Sequence, residues 1–129
     1  MKAKIVIELE SKLAESTVLN LDILTQYTSA IGGKALLGSV DIFAQQYPLY
    51  LAELKTLQQE GDEKGVAAQG HKMKGAAGAI GLARLCEWAQ YIQHNETQDW
   101  SQGYPKFISQ IESCYEQDIA TLRRYLESV

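Results

Sequence analysis

The run His71-Lys72-Met73-Lys74-Gly75-Ala76-Ala77-Gly78-Ala79-Ile80-Gly81 concentrates the residues of this chain best suited to chemistry. One imidazole stands among two lysines and a series of very small residues. A neutral imidazole is a nucleophile near pH 7, because its unperturbed pKa is about 6.5. It can attack a phosphoryl group and hold it as a phosphoramidate. Lys74, one helical turn further on, can then offset part of the negative charge that arrives. Phosphoryl transfer also needs in-line geometry, a metal ion and electrostatic stabilisation. No acid, serine or cysteine accompanies His71 in the run. A partner protein has to bring the rest of the machinery.

The same run reads as helix, on which residues i, i+3, i+4 and i+7 share a face. From His71 that face is Lys74, Gly75 and Gly78, with Ala67 one turn earlier. Val66, Gly70, Met73, Ala77 and Ile80 draw a separate apolar stripe that faces a core. Lys72 projects at another angle and adds to the positive field. A glycine inside a helix costs about 0.5–1 kcal/mol relative to alanine. Gly70, Gly75 and Gly78 together therefore cost on the order of 2–3 kcal/mol. Gly70 lies on the core stripe, so close helix packing explains it. Gly75 and Gly78 flank the histidine, where close approach by a partner explains them. The expected docking face is thus Ala67, Lys72, Gly75 and Gly78 around His71.

The elements that must position this face are helices. Val40, Phe43, Tyr47, Leu51, Leu54 and Leu57 recur at helical spacing, with Pro48 expected to kink the helix they form. Gly61 gives a stop and Asp62 an N-cap for the helix that carries His71. Gly81 ends that helix, and Leu82, Leu85, Ala89 and Ile92 mark a shorter one. His94 to Asp99 reads as loop, with His94 a solvated residue at the helix end. Trp100, Phe107, Ile111, Leu122 and Leu126 mark a long last helix, with Trp100 as its packing anchor and Pro105 tolerable in its first turns. Met73 and Trp88 read as core fillers. An earlier helix runs through Leu24, Tyr27 and Ile31 to Gly32-Gly33. Short connections predict an all-α, antiparallel up-and-down bundle. The domain is expected over residues 20–129. Residues 1–19 are an extra helix or a linker, and the strand-like run Lys4 to Glu8 is too short to make a sheet.

Composition excludes several classes of function. At 129 residues the chain suits one domain with a real core. A net charge of −4 argues against nucleic acid as a partner. No apolar run approaches the roughly 18 residues of a membrane span, and Glu8 and Glu10 end the first apolar run too early for a signal peptide. Cys86 and Cys114 have no metal-type spacing and suit free thiols in a reducing cytoplasm, even if the chain is part of a longer membrane-attached protein. No glycine-rich phosphate loop is present for a nucleotide. His71 and Met73 are two apart and cannot easily share a metal or haem. No cofactor is expected. Two readings stay open: a phosphoryl relay, and a helical bundle that binds partners without being phosphorylated.

His71-x-x-Lys74-Gly75, followed by Gly81 and Leu85, resembles the signature of histidine-containing phosphotransfer (HPt) domains of bacterial phosphorelays. The run from Gly70 to Gly78, with Gly81-Leu82 and the spacing to Gln93, is most similar to HPt domains at the C-termini of hybrid sensor histidine kinases of the anoxic redox control type. The resemblance implies a four-helix bundle with one or two additional N-terminal helices. It also implies that His71 is phosphorylated, that Lys74 contacts the phosphoryl group, that Gly75 keeps the approach clear, and that Gln93 orients the imidazole. The implied partners are receiver domains of a hybrid kinase and of a response regulator, with Mg2+ carried by the receiver. The implied location is the cytoplasm, as in the C-terminal domain of an inner-membrane sensor kinase.

Overall fold

A computed structural model describes residues 15–129, and every regular element among them is a helix. The run Lys4 to Glu8 and most of residues 1–19 lie outside the described residues. Residues 15–18 are helical and lead into α1 (Leu21–Ile31), followed by α2 (Gly33–Gln59), α3 (Glu63–Ala79), α4 (Ala83–Gln93) and α5 (Trp100–Ser128).

Local sequence signals set most of these boundaries. Asn20 caps α1 by accepting a hydrogen bond from the Ile23 amide at 3.1 Å. Asp62 caps α3 in the same way, accepting from the Gly65 amide at 2.9 Å. Gly61 and Gly81 take the left-handed backbone (φ 71° and 82°) that the turns before and after α3 require. The α2 helix starts well before the stripe from Val40, at Gly33, which is buried with its Cα against the Leu126 carbonyl of α5. Pro48 lies inside α2 without ending it, flanked by the buried residues Val40, Phe43, Tyr47, Leu51 and Leu54.

Four helices close a ring: α3 packs on α2 and α4, and α5 packs on α2 and α4. Tyr47, Leu54, Met73, Leu85, Ile111 and Leu122 are among the side chains sealed inside it. The α1 helix packs on α2. It also reaches the end of α3, where the Tyr27 hydroxyl donates to the Ala79 carbonyl at 3.3 Å. Trp100 anchors α5 as expected: its indole N–H donates to the carbonyls of Tyr91 and Ile92, each at 3.1 Å.

Two expectations need correction. Trp88 is half-buried: it packs against the edge of the core and also lies under the Arg84 guanidinium, 5.2 Å from its ring centroid, so it borders the core and does not sit inside it. Arg84 in turn grips Asp118, whose side chain is fully buried, through Nε at 3.1 Å and through a second, shorter contact. This bidentate pair ties the start of α4 to α5. His94 is not merely solvated, since its Nδ1 lies 2.8 Å from Glu96 Oε1. A backbone amide, together with that contact, holds the Glu96 carboxyl below its usual range.

Candidate functional site

The α3 helix buries one side and strips the other. Val66, Ala67, Gln69, Gly70, Met73 and Ala77 face the bundle. His71, Lys72, Gly75, Ala68 and Ala79 are exposed. At about 100° per residue, Ala68, Gly75 and Ala79 form the middle of the exposed arc, with His71 on one flank and Lys72 on the other. Small residues therefore make the floor, and the side chains of His71 and Lys72 rise at its edges.

The flank of His71 faces α4. Gly70 lets the two helices meet: a Cβ at that position would stand 2.8 Å from the Gln93 amide nitrogen and 2.8 Å from Ile92 Cγ2. This contact brings the backbone of Gln93 beside the turn that carries His71. The Gln93 Oε1 is buried and has no hydrogen-bond partner among the described residues. Lys74 is half-buried on the same side, close enough for its charge to act on the Cys86 thiol. Burial outweighs that attraction and pushes the thiol up from its ordinary value.

The flank of Lys72 faces α2. Its Nζ sits 4.4 Å from the centroid of the Tyr50 ring. The Tyr50 hydroxyl donates to Gln46 Oε1 at 3.2 Å, and its carbonyl accepts from Gln69 Nε2 at 3.0 Å. Beyond the floor, Ala76 and Ala79 join Tyr27, Ile31, Ile42 and Phe43 in an apolar groove between α1, α2 and α3. Ile31 and Ile42 are 60% and 57% exposed, which is unusual for isoleucine in a packed bundle.

The three glycines separate as their positions suggest, with one exception. Gly70 is required by packing. Gly75 is open, since a Cβ there would meet nothing within 4 Å among the described residues. Gly78 leans toward α4, where a Cβ would come 3.3 Å from Cys86 Sγ, so helix packing and not a partner accounts for much of it. Ala67 departs further: it is 8% exposed and belongs to the core, not to a docking face. The buried arc is wider in the first turns of α3, where α2 holds Gln69 and α4 holds Gly70. Tyr50, Gln46 and Gln69 were not singled out from sequence. Their only signal is apolar or polar character at helical spacing on separate helices.

Among the described residues, no group of three or more His, Cys, Asp or Glu side chains is placed to hold a metal ion. No helix among them is long and apolar enough to cross a membrane.

Comparison with known proteins agrees with this geometry. The Hpt domain model matches residues 39–127. The aerobic respiration control sensor protein ArcB of Escherichia coli K12 is 27% identical over 117 residues, which is 91% of this chain and 15% of that protein. The ArcB protein of Shigella flexneri matches to the same extent. The chain thus spans about 15% of the length of these curated relatives. The histidine-containing phosphotransfer domain of Escherichia coli ArcB superposes with a TM-score of 0.85 at 27% identity, covering 88% of this chain and 97% of that domain. Its solution structure gives 0.80, covering 88% and 91%. The bundle, its length and the His71 signature accordingly place the chain in the Hpt domain family, the phosphotransfer modules of two-component phosphorelays.

Proposed function

We propose that His71 takes a phosphoryl group from an aspartyl phosphate on one receiver domain and gives it to an aspartate of another. The observation that carries this reading is the pairing of an exposed imidazole with Gly75, a helical glycine that no contact among the described residues requires. The fold tolerates its cost, so the need for a bare Cα lies in something that approaches from outside.

The chemistry balances without a proton acceptor in this chain. The lone pair of one ring nitrogen attacks phosphorus, the P–O bond to the aspartate breaks, and the carboxylate leaves with the electron pair. The other ring nitrogen keeps its proton, so the phosphorylated ring is an imidazolium. The reverse attack by a second carboxylate releases neutral imidazole. Gln93, whose Oε1 is buried and unpaired, is suited to accept the retained N–H and so fix which nitrogen reacts. Lys74 supplies charge to the phosphoryl oxygens. The divalent cation that such a transfer uses belongs to the receiver in this reading. The apolar groove beside Ala76 and Ala79 offers a receiver surface to bury. A place as the C-terminal domain of a cytoplasm-facing hybrid sensor kinase follows from the same reading.

The test is phosphoryl uptake from a panel of receiver domains charged with acetyl phosphate. Wild type acquires acid-labile, alkali-stable phosphate, while His71→Gln acquires none and keeps its helicity. If wild type takes up nothing from any receiver of its own organism, the relay reading fails, and retained binding without uptake would favour a scaffold role.

A further inference from the structure

From Lys64 to Cys86 the sequence holds Lys64, Lys72, Lys74 and Arg84 and no Asp or Glu, in a chain whose net charge is −4. Arg84 is bound to Asp118. The other ion pairs among the described residues are Lys55–Glu112, His94–Glu96 and Arg123–Asp41, so Lys64, Lys72 and Lys74 have no acidic partner there. Of these three lysines, Lys72 is the one held by an aromatic ring. Its ammonium rests on Tyr50, and Tyr50 is itself fixed by Gln46 and by Gln69.

We propose that Lys72, presented on the Tyr50 ring, is a docking and specificity residue that pairs with an acidic side chain of the incoming receiver domain. The inference rests on the relay reading above and adds a partner contact to it. Lys72 and His71 stand on opposite flanks of the floor made by Ala68, Gly75 and Ala79. A partner seated over Gly75 close enough to reach His71 is flanked by Lys72 on its other side. The ring keeps one face of the ammonium covered and leaves the other face exposed, so less side-chain freedom is lost when a carboxylate arrives. Lys72 projects about 100° around the helix from His71, and its ammonium rests on Tyr50 of α2. It acts on encounter and on residence, and not on the chemical step. A purely structural role, with Lys72 only clipping α3 to α2, would give none of these kinetic effects.

Single-turnover transfer from a phosphorylated receiver to the full chain, measured across receiver concentration and salt, tests this directly. Lys72→Glu should raise the half-saturating receiver concentration by about tenfold and leave the maximal rate within about twofold, as expected of a charge that governs association. Lys72→Ala should raise it less and flatten its dependence on salt. Tyr50→Phe, which keeps the ring, should resemble wild type. Tyr50→Leu should resemble Lys72→Ala, with little further loss in the double variant. Wild-type half-saturation and salt dependence in both Lys72 variants would overturn the proposal. So would a lowered maximal rate at unchanged half-saturation, which would put Lys72 at the phosphoryl group. These outcomes require that wild type transfers phosphate. A wild type that transfers none instead overturns the relay reading on which the proposal rests.

Discussion

Gly70 presents a bare Cα to the backbone of Gln93, and a Cβ at that position would lie 2.8 Å from the Gln93 amide nitrogen. Position 70 precedes the histidine, so this contact sets the height of His71 against α4. It also sets where the Gln93 side chain begins. Packing and site geometry are fixed by the same pair of residues.

Substitution of two glycines five positions apart on α3 should therefore move stability in opposite directions. Gly70→Ala forces α3 and α4 apart and should cost about 1–3 kcal/mol, the usual range for overpacking. Gly75→Ala meets nothing within 4 Å and should add about 0.5–1 kcal/mol through helix propensity. Urea denaturation measures both. Gly75→Glu should leave the bundle folded and block transfer, and unimpaired transfer in that variant would remove the argument from close approach.

Gln93→Ala should slow transfer by about tenfold to a hundredfold, the scale of losing orientation at a reacting group. It should not lower stability by the cost of a hydrogen bond, because Oε1 makes none. Rapid-quench rates and a thermal melt on the same sample separate the two effects. A large loss of stability with a normal rate would make Gln93 a packing residue only.

Asp118→Ala leaves Arg84 with its paired carboxylate gone. Because the Asp118 side chain is fully buried and the Arg84 side chain about a quarter exposed, the cost should be about 3 kcal/mol, the low end for a broken buried pair whose surviving charge can still reach water. The effect should appear in the urea midpoint. Transfer by the folded fraction should be unchanged, since the pair ties α4 to α5 and stands apart from His71.

Tyr47 supplies a prediction in alkali. Burial, with Asp118 nearby, raises its phenol well above the ordinary value of 10.0, so the folded state holds that proton longer than the unfolded chain. Above about pH 10 the unfolded state binds fewer protons, and stability falls as pH rises. Below that range the group contributes no slope. Tyr47→Phe should flatten the alkaline loss. It should also be neutral or stabilising near pH 7, because the buried hydroxyl has no partner.

Much of the fold was legible because its signals are local. Asp62 with Gly61, and Gly81 at the far end, bound α3 through capping and left-handed backbone, which depend on a few neighbouring residues. The stripe through Val40, Tyr47 and Leu54 marked the buried face of α2 in the same way. Trp88 was less legible, since an aromatic residue at core spacing reads alike whether it packs inside or lies under an arginine.

The sequence by itself determined the helices, the inward stripe of α3 and the run that carries His71, because periodicity and caps follow from the chain's own 3.6-residue repeat. Tertiary structure alone decided which small residues are open. Ala67 is buried, Gly78 meets Cys86 and Gly75 meets nothing, although all three share the His71 side of one helix. Only tertiary structure placed Tyr50 under Lys72 and Asp118 under Arg84. The physical reason is that helical position gives a residue's direction, whereas its surroundings depend on which other helix crosses at that height.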